Sequence, residues 1–165
     1  MAKRSVKTDK NAYFLSRERA GLTREAAAEL LEWIGEDRIE RIENGRSPVK
    51  PDEVLRMAEC YKDSRLCNYY CANDCPIGQE YVPEIELKSL SQITLEMLAT
   101  LNALAREKER LIEITVDGTI SDDEKEDFVA IQDRLNEMSI AIDSLKLWVS
   151  TAVDTGKLSE DVIAD

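Results

Sequence analysis

Cys60, Cys67, Cys71 and Cys75 are the only four cysteines in a chain of 165 residues, and Pro76 follows the last of them. Three chemistries suit such a set. Four thiolates could hold zinc tetrahedrally or bind an iron–sulfur cluster. A thiol pair could close on oxidation, which in a reducing compartment marks a transient sensor rather than a structural bridge. The four positions also share one face of a continuous helix, where free Cys packs as a small apolar residue. With no histidine in the chain, an all-thiolate set is the only soft-ligand site available, and Ser-His-Asp or Cys-His catalysis is excluded. A weaker oxygen pattern, Glu113, Asp117-Gly118, Ile120 and Glu124, imitates half of a calcium loop. Thr115 would be a poor ligand there, and a capped turn explains the same residues.

The elements that would position these groups are helices. Composition is 43% hydrophobic and 34% charged, with 5% aromatic residues, too few for base-stacking platforms. No run is apolar enough to span a membrane, and the N-terminus lacks the apolar core of a secretory signal, so a cytoplasmic protein is expected. No convergent catalytic constellation is visible, and a non-enzymatic role is expected. The charge is uneven, with +2 over residues 1–50 and −14 over the remainder. Polyanions are therefore repelled by most of the chain, and any nucleic-acid contact falls to the N-terminal third.

Residues 1–10 read as a mobile basic arm. From 11 to 61, apolar positions such as Ala27, Leu31, Ile34, Ile39, Ile42, Val54 and Ala58 recur at helical spacing, broken at Gly21, Gly35 and Gly45-Arg46-Ser47-Pro48. Short helices cannot bury their stripes alone, so these must form one bundle. Pro51 ahead of Asp52-Glu53 predicts a helix start. Residues 62–84 hold three of the cysteines, two prolines and a glycine, and read as a Cys-containing linker. Residues 85–155 read as a long antiparallel helical hairpin turning at Asp117-Gly118. Its second helix is capped by Ser121 and Glu124. Phe128, Ile131, Leu135, Met138, Ile142, Leu145, Val149 and Ala152 form its seam at alternating spacings of three and four. Ile140 and Leu147 fall on the opposite face with Trp148 beside it, so a second apolar surface needs covering. The N-terminal domain or a second chain could cover it; a second chain is the expected cover, making a homodimer of hairpins. Residues 156–165 read as an acidic tail. The expected class is all-α.

The stretch from Gly21-Leu22-Thr23-Arg24-Glu25-Ala26-Ala27-Ala28 to Ile39-Glu40-Arg41-Ile42-Glu43-Asn44-Gly45 resembles the phage-repressor-like (XRE-type) helix-turn-helix family. The "RIENG" run with a Pro three residues after its Gly, followed by an apolar helix ending Met57-Ala58-x-x-Tyr61, carries the resemblance over residues 11–61. It implies binding of double-stranded DNA by a transcriptional regulator. Thr23 and Arg24 would meet phosphate, Gly35 to Arg41 would form the recognition helix, and Arg46 or Lys50 would reach flanking phosphate. Arg38 and Arg41 could read guanine edges, while Glu36 and Asp37 could accept hydrogen bonds from cytosine or adenine amino groups. The sequence departs from the family in a longer turn, Leu31-Glu32-Trp33-Ile34-Gly35, without a central glycine, and in those two acids at the groove-facing start. A helical interaction module that keeps this bundle without DNA, or a thiol- or metal-responsive sensor, are the alternatives.

Overall fold

The computed structural model describes residues 10–159, and among them the chain is all-α, with eight helices and no strand. The arm expected over 1–10 and the tail expected over 156–165 lie outside the described residues at 1–9 and 160–165. The chain divides into two compact units. One runs up to Glu84 and takes in the stretch from Ser150, and the other is Ile85–Val149.

In the first unit α1 (Ala12–Arg19), α2 (Arg24–Leu31), α3 (Glu36–Glu43) and α4 (Pro51–Tyr61) follow the expected punctuation. Each start has a physical cause. Asn11 accepts the Phe14 amide at 3.0 Å and Thr23 the Ala26 amide at 3.1 Å. Pro51 occupies the first turn of α4, and the Glu53 carboxylate accepts the Lys50 amide at 2.8 Å. Leu31, Ile34, Ile39, Val54 and Met57 are fully buried, so the helical-period stripe is the core. Leu15, Leu30 and Leu55, from the same stripe, face outward.

Residues 62–84, read from sequence as a linker, carry two further helices, α5 (Arg65–Asn73) and α6 (Pro76–Tyr81). Leu66 joins the core of the first four helices, with Cys60, Cys67, Tyr69 and Tyr70 packed against it. The breaks at Lys62-Asp63-Ser64 and Asn73-Asp74 are therefore turns between packed helices. At the first, Lys62 takes a left-handed conformation and buried Asp63 accepts from Ser16 at 2.7 Å, Arg19 at 2.5 Å and Arg65 at 2.6 Å. At the second, Gly78 lies so close to α5 that a side chain's first carbon would sit 2.0 Å from the Cys71 carbonyl oxygen. Glycine is required there for close approach. The Ser64 amide donates to Asp154, in the stretch of chain from Ser150 that belongs to this unit, at 3.0 Å.

The second unit is the hairpin of α7 (Leu90–Thr115) and the main part of α8 (Lys125–Asp154). Ser89 and Gln92 cap α7; before α8 the Ser121 amide donates to the Glu124 carboxylate, half of the expected reciprocal pair, while the Glu124 amide donates to the Ser121 carbonyl. Arg110 binds Asp127 at 2.6 Å and Arg134 binds Glu107 at 2.8 Å, which sets an antiparallel register. The seam differs from the expected one by one row of the helix. Ile131, Ala141 and Ala152 are buried and Arg134, Met138, Leu145 and Trp148 half-buried, whereas Leu135 and Ile142 are exposed and Leu147 is buried. Within the hairpin, the row 131, 138, 145 is buried or half-buried together with 134, 141 and 148, whereas 135 and 142 of the expected row are exposed. Small Ala141 permits close approach, and Arg134 finds a carboxylate across the seam; neither partner is visible in a single-helix pattern.

Candidate nucleic-acid interface

Two helices joined by a tight turn, α2 and α3, form the centre of the candidate interface. The turn is made by Glu32 at φ 63 and ψ −60, with the Trp33 amide donating to the Leu31 carbonyl at 2.7 Å. That is a γ-turn, and a non-glycine residue holds it under backbone strain. Gly35 then caps α3 without a side-chain hydrogen bond, so the first amides of α3 are free of that partner.

Three of the arginines near this interface are engaged inside the domain. Arg17 of α1 is 4% exposed and donates from Nε to Glu43 Oε1 at 2.5 Å and from Nη2 to Oε2 at 3.2 Å. Its Nη1 donates to the Leu22 carbonyl at 2.5 Å. Arg24 donates to the same Glu43 carboxylate at 2.8 Å. The glutamate of the "RIENG" run is thus the point at which α1, α2 and α3 are joined. Arg38 donates from Nε and Nη2 to Glu53 at 2.7 and 2.6 Å, and also to Ser47 Oγ and the Pro48 carbonyl. These bonds clamp α3 to the following loop and to α4. Burial pushes the Glu53 carboxyl up, but donation from Arg38 and the Lys50 amide more than offsets it and leaves it below the ordinary range. Asp63 is likewise held low: burial raises it, and Arg65, Ser16 and Arg19 reverse the sign.

The sequence-predicted contacts therefore separate into two groups. Arg24 and Arg38 donate to the internal carboxylates Glu43 and Glu53. Arg41, Arg46 and Lys50 are exposed along the end of α3 and the loop after it, with Arg46 3.7 Å from Glu40. Thr23 is exposed, with its hydroxyl accepting the Ala26 amide. Glu36 and Asp37 are exposed in the first turn of α3, where the positive end of the helix favours carboxylates. Glu43 and Glu53 were missed as organising residues. The available signal was a carboxylate in register with buried Ile39 and Ile42, or with Val54 and Met57, which demands a cation from elsewhere.

The four thiols do not converge. Cys60 sits on α4, Cys67 and Cys71 on α5, and Cys75 caps α6, accepting the Gly78 amide at 3.5 Å. All four are free, and among the described residues no group of three or more His, Cys, Asp or Glu is placed to hold a metal. The zinc or iron–sulfur reading thus does not fit, because intervening turns spread the four cysteines over α4, α5 and the cap of α6. Burial also pushes the Cys60 and Cys67 thiols up, against the thiolate character a reactive site needs. The calcium-like residues are likewise used in the turn, where Asp117 accepts the Thr119 amide and Glu124 the Ser121 amide.

No helix among the described residues is long and apolar enough to cross a membrane. No curated protein and no solved structure matches the chain. Residues 15–63 match the family described as a helix-turn-helix domain, and the match spans α2, its strained turn, α3 and α4. A domain of this kind supports DNA binding by a regulator in general. The N-terminal part of this chain, residues 15–63, is a helix-turn-helix domain, consistent with the XRE-like resemblance of its sequence.

Proposed function

We propose that the chain is a non-enzymatic, sequence-specific transcriptional regulator that binds double-stranded DNA as a homodimer. The observation that carries the DNA half is the division of cations: Arg17, Arg24 and Arg38 lock the bundle, leaving Arg41, Arg46 and Lys50 exposed at α3 and its following loop. In such a domain α3 enters the major groove and the flanking cations meet phosphate. Arg41 is the candidate for guanine, and Glu36 and Asp37 for amino groups of cytosine or adenine.

Support for the dimer comes from the hairpin. Its two cross-helix ion pairs lie on one face. On the opposite face, helical geometry and that register bring Ile112 level with Phe128, Ala105 with Leu135 and Leu98 with Ile142. Leu98, Leu101 and Leu135 there are 51%, 50% and 48% exposed. An exposed row of leucines, in a chain of net charge −12, suits a second identical hairpin in a four-helix bundle. A dimer would also place two reading heads on two half-sites.

The test is binding of the full chain to duplex fragments from its own upstream region over a salt series. Fragment-specific binding that weakens steeply with salt is expected, and replacing Arg46 or Lys50 by Ala should lower the salt slope by about one. A folded protein with no binding above background at low salt overturns the DNA half. A sedimentation mass of one chain at micromolar concentration overturns the dimer half.

A further inference from the structure

Beside the Asn11 cap of α1 lies a cavity of about 490 Å³, within the range of small-molecule sites. It is walled by Tyr13, Tyr69 and Asp74 on one side and by Ile42, Pro48 and Val49 on the other. The two tyrosine rings of the lining stand edge to face, with centroids 5.8 Å apart at 84°. The Tyr13 hydroxyl donates to Asp74 Oδ2 at 2.5 Å, and Asp74 Oδ1 has no partner among the described residues. Among the described residues, no lysine or arginine lines the cavity. An aspartate, two tyrosines, apolar Ile42, Pro48 and Val49 and, among the described residues, no basic group in the lining disfavour an anion and suit a cation.

We infer that this cavity binds a small organic cation, an ammonium or guanidinium group on a short apolar body. The cationic head would meet Asp74 and the rings of Tyr13 and Tyr69, and the body would lie against Ile42 and Val49. The loop that forms the far wall also carries exposed Arg46, and its Ser47 hydroxyl accepts from Arg38. Occupancy therefore braces the segment next to the recognition helix. On the reading that this chain binds DNA, the cation is an effector of that binding.

Calorimetric titration of the full chain with choline and, separately, with agmatine tests the site and distinguishes a quaternary ammonium from a guanidinium. Saturable one-site binding of at least one is expected. The neutral isostere of choline, 3,3-dimethylbutan-1-ol, and the Asp74→Asn variant should each bind about tenfold more weakly. Asp74 is exposed and asparagine still accepts from Tyr13, so this variant folds, and an unchanged thermal melt verifies it. Tyr69→Leu serves as a second variant with the same expected loss. Saturation by neither cation, or equal affinity for the isostere or for Asp74→Asn, overturns the site. If the site binds and saturating ligand leaves DNA affinity unchanged, the effector role is overturned while the site stands. DNA binding measured without ligand reports on the DNA reading alone.

Discussion

Replacing Glu43 by alanine tests whether the "RIENG" glutamate is the centre of the bundle. Its side chain is 1% exposed and receives three hydrogen bonds from two guanidinium groups. Removing it leaves Arg17, 4% exposed, with the Leu22 carbonyl, exposed Glu18 and the Phe14 ring as partners. Arg24, at 30% exposure, can turn to water at little cost. Breaking a buried ion pair from one side costs about 3–5 kcal/mol. The residual bonds to Arg17 put the expected loss near the lower end, about 3 kcal/mol. Urea slopes of about 1–3 kcal/mol per molar convert that into a midpoint shift of about 1–3 M. Trp33 fluorescence in a Trp148→Phe background reports on this unit, because the chain has two tryptophans and Trp148 lies in the hairpin. Glu43→Gln retains an acceptor but loses the charge and should fall between. The combined Arg17→Met, Glu43→Leu variant should recover much of the loss, since burying neither charge avoids the desolvation cost. A Glu43→Ala midpoint within the equivalent of about 1 kcal/mol of the parent would refute the reasoning and return Glu43 to the role of a solvated surface charge.

Acid should destabilise the same unit. Glu53 and Asp63 are held below their ordinary values when folded, so their stabilisation is present above the unfolded carboxylate range near pH 4 and is lost as pH falls through the folded values. Urea midpoints measured from pH 6 to 3 should decline, and less steeply in the combined Glu53→Gln, Asp63→Asn variant; parallel curves contradict this. Glu32→Gly should stabilise by up to about 1 kcal/mol, because glycine tolerates the φ of 63 that Glu32 must adopt, though glycine's freedom when unfolded returns part of that gain. A thermal melt reads it, and a lower midpoint for the glycine variant would mean that the turn is unstrained.

The helices of the N-terminal bundle were legible because their punctuation is local. Asn11, Thr23 and Pro51 act within a turn of the residues they cap, and the stripe through Ala27, Leu31, Ile39 and Val54 has the helical period. The resemblance through Gly21–Gly45 pointed to the same domain that the family match covers at residues 15–63. Residues 62–84 were harder. Prolines and polar breaks announce turns, but only the Leu66 contact with the first core and the close approach of Gly78 to Cys71 make the segment part of the bundle.

The candidate site divides in the same way. Sequence alone determined an all-α chain, a helix-turn-helix in the first third, the turn of the hairpin and the charge imbalance, because each depends on neighbours within a few positions. It could not assign the cations. Arg24 and Arg38 look as free as Arg41 and Arg46 until Glu43 and Glu53 are brought beside them, at separations of 19 and 15 residues. Nor could it choose which row of α8 meets α7, since rows flanking residues 131, 138 and 145 differ by only one residue and the choice belongs to the partner helix. Tertiary structure decided these points. An ion pair or a seam is a property of two elements, and its energy depends on distance and burial that neither element carries alone.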